Sequence, residues 1–260
     1  MGLLNALKGM FLFSFNVLEG APPLNPQQKR GLALGAIYSA EAHLPINALA
    51  VEGDRESTRS VIAEAWDVTG PSDVEGAYEY LETSGHRTLY ALVAPKVELL
   101  LTTEDQYNDL ELARAHEREI TEQAPHSGLS IETAHHYYHC WRAAAQLGRL
   151  DALDKPLPTS IVAWDAARMV NLTRLMLLPE YISEAQAWAA IERATDLCRQ
   201  AYYSSWQDFG DAFVVGRAFW MAGISNGSGD SEIEVFQRAC RRLRDIEGSP
   251  WRDIPYRYGV

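Results

Sequence analysis

Cysteine is scarce: the 260-residue chain holds three, Cys140, Cys198 and Cys240. They are odd in number and far apart, and each falls in a segment that reads as helix. That argues against a disulfide framework and for a reducing compartment, the cytoplasm. Long apolar runs are missing too; nothing approaches the roughly 20 residues of a membrane-spanning helix. Basic residues are outnumbered, 23 against 35 acidic ones, for a formal net charge of −12 and a pI near 5.0. Nucleic acid and anionic lipid are bound through stripes of Lys and Arg, so this balance argues against both and suits a basic protein partner. Also lacking are a Gly-x-Ser-x-Gly elbow, a phosphate-binding glycine loop and a dinucleotide fingerprint. There is no internal repeat, no low-complexity tract and no strand alternation.

What is present is a folding composition, 47% hydrophobic with 7 Trp and 12 Tyr, enough for one sizeable core. Residues 2–18, GLLNALKGMFLFSFNVL, are apolar with one lysine. They lack the basic n-region and cleavage site of a signal peptide, and Ala6 stands where myristoylation wants Ser or Thr. The expectation is a segment over 1–24 packed on one helical domain over 25–260. Attachment to a membrane surface through Phe11, Leu12, Phe13 and Phe15 is the alternative.

Helix signals recur along the chain. Asn25-Pro26 opens a helix to about His43, whose Gly31 and Gly35 suggest close approach of a neighbouring helix. A second is expected over 57–66 with Val61, Ile62, Ala65 and Trp66 inward. Ser72 and Glu75 make a capping box before a stripe of Val74, Ala77, Tyr78 and Leu81, closed by Gly85. Residues 88–101, apolar around Pro95, carry no clear assignment. A charged helix runs from Thr103 to Gln123 with Tyr107, Leu110, Ala113 and Ile120 inward. Another runs from Ser130 to about Leu147 with Ala134, Tyr137, Tyr138 and Trp141 on its aromatic side.

The densest aromatic and charged stretch is 160–220. One helix follows Thr159-Ser160. A second opens at Ser183 with Gln186 three on, and its stripe is Trp188, Ile191, Thr195, Cys198 and Tyr202. A third opens at Ser205 with Asp208, burying Phe209, Ala212, Phe213, Gly216 and Trp220. A last helix from Ser231 turns Ile233, Phe236, Cys240 and Leu243 inward, and Trp251, Tyr256 and Tyr258 in the tail dock back. The fold class is all-α, an irregular multi-helix arrangement.

The runs AWDAARMVNLTR, YISEAQAW and SSWQDFGDAFVVGRAFW, with Gly85-His86-Arg87 and Ser249-Pro250-Trp251, resemble the bacterial family called domain of unknown function 1266. The resemblance spans most of residues 25–255 and implies an all-helical fold without an assigned activity. One departure is Pro179-Glu180 before Tyr181, where the family pattern has a small residue or glycine.

Three constellations are candidates for chemistry. Arg217 between Phe213 and Trp220 needs a partner, because unpaired buried charge costs several kcal/mol. Asp165 beside Trp164 is expected to meet Arg168 or Arg217, as a structural ion pair or as a catalytic or anion-binding pocket. His135 and His139 share a helical face, as do His136 and Cys140, at spacings that suit zinc; a polar helix face with a buried cysteine is the alternative. No cofactor is otherwise expected. His86, just past a helix end, is read as a bond to exposed carbonyls or as a general base. Arg238, Arg241, Arg242 and Arg244 form the one basic cluster, read as a solvated helix face or as a place for an acidic partner segment. For binding, Glu104, Asp105, Asp109, Glu111 and Glu117 form the expected acidic surface. The function expected is a cytoplasmic, non-enzymatic protein-binding module, toxin-neutralising (immunity-like) or chaperone-associated. A metal-dependent hydrolase or small-ligand sensor is the alternative.

Overall fold

The computed structural model describes residues 15–101, 110–227 and 232–257, with the backbone alone at 99–101. Among these residues there is no strand. The helices, in chain order, are α1 Pro26–Leu34, α2 Ala36–Glu41, α3 Arg55–Trp66, α4 Val74–Thr83, α5 Gly85–Leu101 and α6 Leu110–Gln123. They continue with α7 Ile131–Gln146, α8 Val162–Leu177, α9 Glu184–Gln200, α10 Trp206–Ile224, α11 Ile233–Asp245 and α12 Pro250–Asp253. Contacts divide the chain into two compact units. Among the described residues, one holds 15–82, 166–209 and 238–257; the other holds 83–101, 110–165, 210–227 and 232–237.

In the first unit, Asn25 caps α1 with Gln28 completing a capping box, an arrangement worth about 1 kcal/mol. The helix expected to reach His43 breaks at Gly35 into α1 and α2. The glycines are needed for packing: a Cβ on Gly31 would overlap Ile191 of α9, and one on Gly35 would lie 2.7 Å from Val170 of α8. Capped by Asp54, α3 starts at Arg55, two residues before the expected 57, and its expected inner face is corrected. Ile62 is its only buried residue, while Val61 is 52% exposed, because α3 is a surface helix. The α4 stripe of Val74, Ala77, Tyr78 and Leu81 is buried as read; the turn before it is organised by Asp73, which accepts from Thr69 and Gly70. Ser183 and Gln186 form the capping box of α9. Its buried stripe ends at Cys198, and Tyr202 lies past the helix end, 97% exposed. The tail docks as expected: Trp251 stacks on Trp206 at 5.1 Å and donates its Nε1 proton to the Ala33 carbonyl. Tyr258 and residues 1–14, which include the apolar run proposed for packing or membrane attachment, lie outside the described residues. From residue 15 on, the segment is held by Asn16, which donates to the His43 carbonyl and accepts from the Ile46 amide.

One organising residue of this unit was not singled out in the sequence. Arg174 of α8 is buried and donates to the Leu49 and Pro45 carbonyls and to Ser39 Oγ, at 3.2, 2.7 and 2.7 Å. It ties the loop after α2 to α8, and burial pushes its pKa down to about 10. Glu180 has φ +63, the left-handed conformation that explains why a glycine suits that position.

In the second unit, the unassigned stretch proves to be α5, with Pro95 inside it. Proline removes one intrahelical bond; here the helix still forms around a buried face of Leu89, Tyr90, Leu92, Val93, Ala94 and Val97. Leu110, expected inward, is 68% exposed; His116 takes that role in α6 beside Ala113 and Ile120. Phe219 of α10 forms the aromatic centre, with Tyr90, Tyr137 and Trp141 at centroid distances of 5.3, 5.0 and 5.4 Å.

Candidate functional site

The site begins with Gly85, whose φ of +53 ends α4 in the left-handed conformation and lets α5 start at once. The first amides of a helix have no partner within it and carry partial positive charge. Asp165, wholly buried, supplies the acceptors: Oδ1 takes the His86 amide at 3.1 Å and Oδ2 the Arg87 amide at 3.2 Å. Arg87 Nη1 donates to Oδ2 at 2.9 Å, completing a charge-assisted clamp. A Cβ on Gly85 would occupy the place of that carboxylate, so only glycine fits.

Arg87 was not proposed as a partner of Asp165, because its contact with residue 165 is distant in sequence. Of the two partners expected for Asp165, Arg168 and Arg217, the second is corrected. Arg217 instead forms an ion pair with Glu232, and its guanidinium lies 4.6 Å from the Trp220 ring, 5.8 Å from Trp164 and 5.3 Å from Phe236. Of the rings expected to flank Arg217, Trp220 does so; Trp164 and Phe236 stand where Phe213 was expected, and the carboxylate comes from just before α11. Trp164 and Gly216 are in contact so close that a Cβ on Gly216 would overlap Trp164. Arg168 belongs to the first unit, where its guanidinium stands 5.3 Å from the Trp66 ring.

His86 does not close the preceding helix. It sits in the first turn of α5, and its Nε2 meets the Tyr137 hydroxyl at 3.2 Å. Asp165 reaches His86 through the backbone amide, at the start of α5.

The histidine face of α7 is also committed. His135 Nε2 lies 3.1 Å from the Glu117 carbonyl and 2.9 Å from Thr121 Oγ1, so it donates and has no lone pair there for a metal. His136 Nε2 donates to the Gly223 carbonyl at 2.8 Å. His139 faces Glu117 at 3.4 Å. Among the described residues no group of three or more His, Cys, Asp and Glu could hold a metal ion. Cys140 Sγ approaches His136 at 3.7 Å, but burial pushes the thiol pKa up, away from the thiolate. A buried neutral pair lies nearby: His116 Nδ1 meets the Tyr138 hydroxyl at 3.1 Å. Desolvation lowers the histidine pKa, with Lys96 adding to it, and desolvation raises that of the tyrosine.

Of the expected acidic surface, Glu104, Asp105 and Asp109 lie outside the described residues. Glu111 is exposed and Glu117 half-buried on α6, where exposed Arg114 and Arg118 offset them and Lys96 pairs with Glu119. A stronger acidic region is legible in the sequence. From Glu41 to Glu82 there are ten acidic residues against Arg55 and Arg59, a net charge of −8 out of the chain's −12. Glu52, Asp54, Glu56, Glu64, Asp67 and Glu75 are exposed on or beside α3 and α4. Arg193 of α9 bonds Glu82 and Glu75, and stands over Tyr78.

No described helix is long and apolar enough to cross a membrane. The family model described as protein of unknown function (DUF1266) matches residues 61–256. No curated protein and no solved structure matches the chain.

Proposed function

We propose a function from the premise that the chain belongs to the DUF1266 family, proteins of unknown function: it is a non-enzymatic binding module that presents an acidic face to a basic protein. The observation that carries this reading is the net charge of −8 between Glu41 and Glu82, mostly on exposed side chains of the surface helix α3 and its flanks. Like charges held on one rigid face raise the association rate with an opposite partner and are screened by salt within about 8–10 Å at ordinary ionic strength. The commitment of Asp165, His135 and His136 to internal bonds supports a structural rather than catalytic use of those groups. The module acts in the cytoplasm, and neutralising a basic toxin or accompanying a chaperone would use such a face. Capture from the native host at low and at high salt, read by mass spectrometry, tests this. Recovery of one stoichiometric basic protein, lost as salt rises, is expected. Recovery that is equal at both salts, or that yields an acidic partner, would contradict it.

A further inference from the structure

We infer that the first unit contains a separate ligand site: a pocket of about 380 Å³ at the end of α9 that takes a small molecule carrying a flat aromatic ring and a phosphate. Three arginines line it, Arg30 of α1, Arg199 of α9 and Arg257 of the tail, with Tyr202, Tyr203 and Tyr256. No carboxylate is in the lining, although the chain as a whole is at −12. Guanidinium groups gathered in this way repel one another, and an anion among them relieves that repulsion.

The donors are positioned before any ligand arrives. Arg257 is fixed by Nε and Nη2, which donate to the Tyr203 carbonyl at 3.1 and 2.9 Å. Arg199 gives Nη1 to Asp196, which stands outside the lining. Arg257 Nη1 and the Nε and Nη2 of Arg199 have no partner among the described residues. Arginine presents paired donors that match phosphate oxygens. The rings are arranged as well: Tyr203 and Tyr256 meet edge to face at 6.5 Å, and Arg30 stands 5.7 Å from the Tyr256 ring. Tyr202, 97% exposed on the loop after α9, is a rim aromatic available to cover a flat ring. The volume lies at the lower end of the range for small-molecule pockets, which favours a single ring with one anionic group over a peptide. The site is independent of the acidic face.

Isothermal titration of the full chain with AMP, phenyl phosphate, inorganic phosphate and adenosine tests the proposal. AMP and phenyl phosphate report the nucleotide and the simple aryl source of the same chemistry; phosphate and adenosine are the separate halves. At least one ring phosphate is expected to bind tenfold or more tightly than either half. Arg199→Gln and Tyr202→Ala, at exposed side chains, should each weaken it about tenfold with the circular dichroism spectrum unchanged. Equal affinity for ring phosphate and inorganic phosphate would overturn the proposal. So would wild-type affinity in both variants, or no binding of any probe at about 1 mM.

Discussion

Asp165→Ala removes the acceptor at the start of α5. Three donors lose it together: the His86 amide, the Arg87 amide and the Arg87 guanidinium, at 3.1, 3.2 and 2.9 Å. Asp165 is fully buried and the Arg87 side chain is 14% exposed, so water replaces the carboxylate poorly. Breaking a buried pair by removing one partner costs about 3–5 kcal/mol, and each orphaned amide about 1–3 kcal/mol within that range of effects. A net loss of about 3–5 kcal/mol is expected. Asp165→Asn keeps one carbonyl acceptor and should lose less. Adding Arg87→Met to Asp165→Ala removes the stranded charge and should restore part of the loss, giving a favourable coupling in a double-mutant cycle. The assay is urea unfolding, followed in parallel by far-UV circular dichroism and tryptophan fluorescence, with the slope compared between variants. A loss below about 1 kcal/mol for Asp165→Ala, the level of an exposed ion pair, would refute the buried-clamp argument.

Gly216→Ala should destabilise by about 1–3 kcal/mol, because its Cβ would lie 2.8 Å from Trp164 Cγ in a packed core. Gly76→Ala, in α4 with nothing within 4 Å, should instead stabilise by about 0.5–1 kcal/mol; urea midpoints of the pair check both signs. His116 has a folded pKa below its ordinary value of 6.5, so the unfolded chain binds its proton first as pH falls. Its neutral form is accommodated fully above 6.5, and stability is lost as pH drops from there through the lower folded value; His116→Gln should flatten that part of a stability–pH curve. Protein purified without a histidine tag should hold substoichiometric zinc by elemental analysis, and chelator should leave its unfolding midpoint unchanged. Stoichiometric zinc lost in His135→Ala/His139→Ala would reverse the reading of that face.

Local signals carried well from sequence to structure. Asn25, Ser130 and Ser183 with Gln186 are caps because the side chain and the orphan amide are within one turn of each other. The stripes of α4 and α11 were legible because helical spacing alone places Val74, Tyr78 and Leu81, or Phe236, Cys240 and Leu243, on one face. Partners distant in sequence were not. Asp165 and Arg87 are 78 positions apart, and nothing in local spacing prefers Arg87 to Arg217. Arg174 binds carbonyls 125 and 129 residues away, and backbone acceptors leave no residue-type signature. Pro95 obscured α5 because a helix-breaking residue outweighed the apolar residues around it, whereas in the folded chain their burial prevails.

The acidic-face reading is tested most directly by one side-by-side capture from the native host at low salt. The two baits are the wild-type chain and Glu52→Lys/Glu56→Lys/Glu64→Lys, three exposed positions on or beside α3. The substitutions change the local charge by six without touching the buried Ile62, so the fold, checked by circular dichroism, should hold. Recovery of a basic protein by the wild type and its loss by at least tenfold on the reversed bait is the predicted result. Equal recovery on both baits would contradict it.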